Sequence, residues 1–501
     1  MGRNKQIIRR ALWAIFLVSL PVSSFPYFPP SLGGGSASVR PLLVYPLLAL
    51  VLFFVVPALW KKPLPLFWRP FLLFVILAVI SSLLPFLRGA ESKLGEVEIS
   101  SRIIRSLITL ALAGAIYWTV SVIPRDRAEL TFTLRWLYAG LGLALFWGSL
   151  QILYVLEVIP GWYQLMRKWQ GFISVSKLFP NRISGMAFEP SWFADQLAAL
   201  WLPWVFGAVL TDYTVFRWRW RWITIERILF LWLNVVLLFT LSRAGLGVAV
   251  LVIIFGILFL RRKPRTAEEL SSPNPKKQAD GKDFRNFLSR GVIKRVGLAV
   301  GVVLALAVLF WLASFQSNYI SRMWNYWQRA NQRGLQDYFT YIGFGPRFVY
   351  WRTAYNIFTE YPLFGVGLGN YTFHFTDYIP AVQIGYMPEL IRRFVPGMKR
   401  IITSKHFLAH LLAETGLFGT MTFLVFFFTL LVGAFILWLS KDTEKRYWGT
   451  ASLLGLMAFL IDTFSYDSFA VPNPWIVFGL VTSSIMVLTQ GESDEDSIDP
   501  N

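Results

Sequence analysis

Apolar runs of close to 20 residues recur along nearly the whole chain, separated by short polar stretches. A helix of that length crosses roughly 30 Å of hydrocarbon with its backbone amides and carbonyls satisfied internally. The pattern predicts about twelve membrane spans, near residues 11–29, 41–60, 70–87, 104–123, 136–159, 190–210, 225–241, 244–260, 296–315, 416–440, 447–465 and 473–490. Two of them meet at Ser242–Arg243 with almost no loop between them. The fold class that follows is an all-α integral membrane protein.

Three stretches depart from the pattern. Residues 261–295, beginning "RRKPRTAEELSSPNPKKQ", are polar and rich in Pro, Ser and Lys, the composition of a flexible linker. Residues 316–405 lie between spans 9 and 10 and differ in kind: "YISRMWNYWQRANQRGLQDYF" sets aromatic residues at helical spacing, and "GVGLGNY" supplies a glycine turn. A loop this long and this aromatic reads as an ordered, mainly helical cap. The tail 491–501, "GESDEDSIDPN", reads as disordered. The remainder of 1–501 forms one polytopic domain. Its first apolar segment, "ALWAIFLVSLPVSSFPYF", lacks a small-x-small cleavage site and reads as a retained helix.

Composition reinforces this picture. The 501 residues are 55% hydrophobic, with a mean hydropathy of +0.52, whereas soluble domains sit near roughly 45–50% apolar. The 22 Trp and 19 Tyr suit interfacial belts, as in "RWRWRW" at Arg217–Trp222. Without cysteine the chain has no disulfide, thiolate metal site or Cys nucleophile. The net charge of +20 is spread over loops, which speaks for topology and anionic lipid rather than nucleic acid. With the N-terminus inside, 28 of the 48 Lys and Arg residues fall in loops on that side. The predicted arrangement is multi-pass, with both termini inside and the long loop outside.

That topology gathers ions at one membrane surface. Arg182 and Glu189 lie in "NRISGMAFEPSWF", ahead of the sixth span. Arg243 lies in "TLSRAGLG", Arg347 and Arg352 in "GPRFVYWRTAYNIF", and Lys405, His406, His410 and Glu414 in "SKHFLAHLLAETGLFG". Each has an ordinary explanation: a snorkelling pair at a helix mouth, a helix cap, solvated arginines, an i,i+4 pair. Arg243 resists it, because apolar residues border it on both sides. As a set, several arginines beside a carboxylate and a histidine make an anion site next to a candidate base. Arg suits phosphate, since its planar fork donates bidentately and keeps its charge.

These blocks resemble the signatures of the O-antigen ligase/O-antigen polymerase superfamily. "RISGMAFEPSWFADQLA", "LSRAGLG", "EYPLFGVGLGNY" and "SKHFLAHLLAETGLFG" follow in the family's order across residues 180–480, and "DSFAVPNPWIVFGL" is similar to polymerase-type members. The resemblance implies a GT-C-like bacterial inner-membrane glycosyltransferase acting on the periplasmic face, without metal or cofactor. The donor it implies is an undecaprenyl-diphosphate-linked oligosaccharide. The implied acceptor is a second such glycan for a polymerase and lipid A-core for a ligase. Membrane lipids and a chain-length regulator protein complete the implied partners; nucleic acid is not among them.

Carried over by block, Arg182 and Arg243 would hold the donor diphosphate. Arg347 and Arg352 would line the cap side, and Lys405 would contribute to substrate binding. His406 and Glu189 are the candidate catalytic bases, with Glu189 open to a second role as the partner that holds Arg182. Ligases carry His-Asn about nine residues before the Glu of "AETG"; here Lys405 and His406 stand there, closer to the polymerase form. The expected function is a surface-polysaccharide polymerase, with a ligase as the nearest alternative. A lipid-linked oligosaccharide flippase is the rival from another class, kept alive by glycine-interrupted helices such as "SRAGLG".

Overall fold

The computed structural model describes residues 3–29, 39–59, 65–87, 93–94, 97–175, 177–260, 325–328, 334–381 and 401–495, with isolated positions between 297 and 391. The membrane helices are α1 (Arg3–Val18), α2 (Val44–Ala58), α3 (Arg69–Leu87), α4 (Ile99–Val122) and α5 (Arg127–Val155). After them come α6 (Trp162–Ile173), α7 (Pro190–Thr211), α8 (Ile225–Phe239) and α9 (Arg243–Leu260). The long loop contributes α10 (Leu335–Tyr341), α11 (Gly345–Glu360) and α12 (Tyr371–Tyr378). The chain then continues through α13 (Phe407–Leu439), α14 (Thr443–Asp462) and α15 (Pro472–Glu495). Among the described residues, strand is confined to two short hairpins, Lys93–Leu94 with Val97–Glu98 and Arg219–Trp220 with Ile223–Thr224.

The protein is an all-α polytopic membrane protein. Among the described residues, seven helices (α3, α4, α5, α7, α9, α13 and α15) are long and apolar enough to span a bilayer. Of the other expected spans, α1 and α8 are 16 and 15 residues long and α2 is likewise short. The 20-residue α14 has Glu444, Lys445, Arg446 and Asp462 at its ends. The expected ninth span, 296–315, and the linker 261–295 lie outside the described residues, as do residues 496–501 of the tail. The cap expected over 316–405 is described from 334 to 381, where it is helical with a glycine turn between α11 and α12. One helix was not anticipated: α6, which follows the C-terminal end of α5 and lies outside the apolar runs.

Lipid tails are as apolar as the side chains, so close packing and hydrogen bonds draw these helices together. Small residues sit where helices must approach. A Cβ on Gly245 of α9 would overlap the Ala194 Cβ of α7, so the glycine brings the start of α9 against the start of α7. A large buried core runs through Phe71, Tyr117, Phe423, Phe426, Trp475 and Phe478. A smaller one under the cap joins Tyr350, Ile357, Tyr371 and Phe375 to Ala413 of α13.

The expected tenth span begins at 416, but α13 already starts at Phe407 and breaks at Gly416, whose φ of 62° and ψ of −160° lie outside the helical range. An added Cβ there would stand 2.5 Å from the backbone of Leu363, so the position requires glycine. The segment Pro362–Gly367 fills the break. Leu417 and Phe418 donate to the carbonyls of Pro362 and Leu363 at 2.8 and 3.1 Å, and Val366 and Gly367 donate to those of Ala413 and Glu414 at 3.1 and 2.8 Å. Non-helical backbone at membrane depth persists only where other protein groups satisfy it. The cap is therefore docked into α13.

Candidate functional site

The loop ahead of α7, which carries Arg182, is held from outside. Gln151 of α5 is fully buried; its Oε1 accepts from the N–H groups of Ser184 and Gly185 at 3.0 and 2.8 Å. Its amide nitrogen and that of Gln170 on α6 both donate to the Gly185 carbonyl, at 2.9 and 3.0 Å. Trp147 fixes Gln170 in turn with a 2.9 Å bond to its Oε1. The unanticipated α6 thus serves to brace this loop.

Arg182 and Arg243 flank one junction. The Ile183 N–H donates to the Phe239 carbonyl at 3.1 Å, joining the loop to the end of α8. Four residues on, Arg243 opens α9, capped by Ser242, whose Oγ accepts from the Gly245 N–H. Leu241 takes a left-handed φ of 49° to turn the chain so tightly. Arg182 is half-buried, its guanidinium 5.1 Å from the Phe179 ring centroid. Arg243 donates from Nη1 to the Ile342 carbonyl at 3.0 Å, which ties this junction to the cap.

The cap supplies the next cation. Arg347, near the start of α11, lies 5.3 Å from the Phe344 ring and donates to the Phe464 carbonyl, in the loop after α14. Arg352, five residues along, lies on the exposed side of α11 over Tyr355. The two arginines share a helix but not a face.

Lys405 and His406 come next. Lys405 has a φ of 57° and donates its backbone N–H to Asp467 Oδ2 at 2.6 Å. His406 takes the position before α13, with its ring 4.4 Å from Phe464 and 5.3 Å from Trp351. Its Nδ1 is enclosed without a hydrogen-bond partner among the described residues. Burial, and then the nearby Arg347 charge, push its pKa down to about 4, against an opposing pull from Asp467. The imidazole is therefore neutral at ordinary pH and able to accept a proton.

Glu189 occupies the N-cap position of α7, where its Oε1 accepts from the Ser191 hydroxyl at 2.5 Å. Among the described residues it makes no ion pair with Arg182, so the role of holding that arginine is not what its carboxylate does. It lies instead within electrostatic range of Asp195, which also senses Asp462 and Arg347. Glu414 is different again. It is 2% exposed, its Oε1 accepts from the Tyr371 N–H at 3.1 Å and its Oε2 lies 3.3 Å from His410 Nε2. Ser81 places its hydroxyl within hydrogen-bonding reach of the Glu414 and Phe364 carbonyls. The His410–Glu414 pair fastens α12 and the cap to α13.

A path of direct contacts thus runs from the Arg182–Arg243 junction through Ile342 and α11 to Arg347, Phe464 and His406. Several polar groups along it were not singled out from the sequence. Asp195 and Asp462 each have an enclosed, unpartnered Oδ1 among the described residues, and Tyr466, near both, has an unpartnered hydroxyl. Arg102 on α4 lies within range of Glu414 and Asp467. Their signal in the sequence is a charged residue inside or at the edge of an apolar run. No group of three or more His, Asp or Glu among the described residues is placed to hold a metal ion.

Chemically, the arrangement is a set of fixed cations beside a neutral imidazole at one end of the helices, with a docked cap over it. No curated protein matches this chain. Residues 228–424 match the family described as O-antigen ligase, a stretch that contains Arg243, Arg347, Arg352, Lys405, His406 and Glu414. Over that central stretch the chain is similar to the O-antigen ligase family.

Proposed function

We propose that the protein is a surface-polysaccharide polymerase of the bacterial inner membrane. Its donor is a glycan linked to undecaprenyl diphosphate, used on the periplasmic side under the cap. The observation that carries this reading is the contact path joining Arg182, Arg243, Arg347 and His406 at one end of the helices. Diphosphate is the large anion such an end meets in lipid-linked sugars, and Arg binds it through paired, charge-assisted hydrogen bonds.

In this mechanism the acceptor hydroxyl attacks the anomeric carbon of the donor, the bond to the diphosphate oxygen breaks, and undecaprenyl diphosphate leaves with the electron pair. The leaving group is already good, so the site's main task is to stabilise its charge. Arg182 and Arg243 do this as preorganised donors. His406 or Glu189 takes the hydroxyl proton; the neutral imidazole is the better placed of the two, because Arg347 and Lys405 stand beside it. A single displacement inverts the anomeric configuration.

The Ser404–Lys405–His406 form of the last block favours a polymerase over a ligase that transfers to lipid A-core. The break in α13 is similar to those of transporter helices, but cap backbone fills it, which favours the enzyme over a flippase. The test supplies purified protein with lipid-linked oligosaccharide alone. A ladder of longer lipid-linked products with inverted linkages is expected. Product only after addition of lipid A-core makes it a ligase, and retained configuration overturns the single displacement.

A further inference from the structure

Among the described residues, Arg102 is a cation with nothing bonded to it: it donates no hydrogen bond and forms no ion pair. It lies in the first turns of α4, at the end of that helix next to the cap, and outside the stretch that matches the O-antigen ligase family. Its side chain is half-buried and its Nε is enclosed. Glu414 and Asp467 lie within electrostatic range, but each carboxylate is engaged elsewhere: Glu414 with Tyr371 and His410, Asp467 with the Lys405 N–H. Arg105 lies one turn along the same helix and adds a like charge. Gly369 of the cap packs against the Arg102 side chain, so the glycine turn closes over it.

A guanidinium carries five N–H donors, and leaving the enclosed Nε–H without a partner costs free energy. The first turns of a helix are also where the backbone dipole disfavours a cation. Both costs are relieved by an oxyanion at this position. The neighbours of Arg102, Gly369 and Glu414, differ from the Ile342 and Phe464 carbonyls that Arg243 and Arg347 bond. Arg347 and Arg102 both border the loop after α14, where Arg347 bonds the Phe464 carbonyl and Asp467 is within range of Arg102.

We propose that Arg102 forms a second oxyanion subsite, separate in its contacts from Arg243, which takes a phosphate of the lipid-linked acceptor. This assignment rests on the polymerase reading, in which donor and acceptor both carry a diphosphate. Two headgroups of the same charge then require two cationic holds. A bilayer phospholipid offers similar chemistry, and the experiment separates it from the acceptor.

The full chain is reconstituted in zwitterionic nanodiscs and titrated calorimetrically with farnesyl diphosphate. Wild type is expected to bind two equivalents, and Arg102→Gln and Arg243→Gln one each. One equivalent in wild type, or two in Arg102→Gln, overturns the proposal. Arg102→Lys, which keeps the charge, is expected to regain the second equivalent at weaker affinity; no recovery in a protein that keeps the first site also overturns it. Adding phosphatidylglycerol is expected to leave both equivalents in place, and its displacement of one assigns the subsite to bilayer lipid instead. In chain extension, Arg102→Gln is expected to raise KM about tenfold for a diphosphate-bearing acceptor, consistent with one lost charged hydrogen bond, and to leave kcat unchanged. The same acceptor oligosaccharide as a simple alkyl glycoside should show no such penalty; an equal penalty marks a structural role and overturns the subsite. If wild type extends nothing, the polymerase reading fails, while the binding stoichiometry still decides the subsite.

Discussion

Two charged residues, each flanked by apolar sequence, end in opposite situations. Arg243 opens α9 after a three-residue turn, reaches across to the Ile342 carbonyl of the cap and stands beside the Arg182 loop. Glu414 sits two residues before the break in α13, is buried, and accepts from Tyr371 while pairing with His410. One charge faces the junction where cap and membrane helices meet; the other is consumed in holding that junction together. An ion beside an apolar run is therefore not by itself a sign of chemistry. What separates the two is where the partners lie: Glu414 is buried between Tyr371 and His410, whereas Arg243 reaches from the membrane helices to a cap carbonyl.

The contrast is most exposed at its two ends. Arg243→Ala is expected to lower chain extension about 100-fold or more, the scale of losing a preorganised charge-stabilising donor, with expression and unfolding midpoint unchanged. Glu414→Ala should do the reverse. It leaves the Tyr371 N–H and His410 without an acceptor, costs about 1–3 kcal/mol of stability, and lowers activity only in step with the folded fraction in thermal unfolding. Gly416→Ala extends the same contrast: a Cβ against Leu363 at a left-handed φ should cost about 1–3 kcal/mol and loosen the cap to limited proteolysis.

A subtler effect follows from His406. Its pKa is depressed from 6.5 to about 4, so the unfolded chain binds the proton more readily than the native protein does. Native stability from this group is whole above 6.5 and is lost as pH falls from there through 4. His406→Gln is expected to flatten that part of the stability–pH curve. If His406 is the base, the acid limb of kcat/KM in wild type should fall near pH 4, and a limb near 6.5 speaks against it. The smallest effect is expected at Arg352, exposed over Tyr355, where replacement by Ala should change turnover by less than about threefold, in keeping with an exposed charge.

Much of this is legible in the sequence alone, and the rest is not, for physical reasons. The apolar runs mark α3, α4, α5, α7, α9, α13 and α15, because spanning hydrocarbon demands length and hydropathy alone. The glycine at 416 is legible as the start of a span, whereas the helical piece Phe407–Thr415 before it is not, since the partners for its broken backbone come from residues some fifty positions earlier. Arg182, Arg243, Arg347, Lys405 and His406 can be named from spacing and resemblance. That Arg347 faces the Phe464 loop and Arg352 does not is set by how α11 packs on α13, which spacing does not contain. Asp195, Asp462 and Arg102 read as isolated ions in apolar sequence, and only tertiary packing brings Asp195 next to Asp462, or Arg102 next to Glu414. Glu189 shows the opposite lesson: seven residues from Arg182, it bonds Ser191 instead.

Whether Arg243 serves the reaction rather than the scaffold is decided by a paired experiment. Wild type and Arg243→Ala are reconstituted side by side and given lipid-linked oligosaccharide as sole substrate, and the products are resolved by length. A ladder of extended lipid-linked chains is expected from wild type and unextended substrate from the variant, at equal amounts of folded protein. A ladder from Arg243→Ala that matches wild type would refute the diphosphate-binding role and the mechanism built on it.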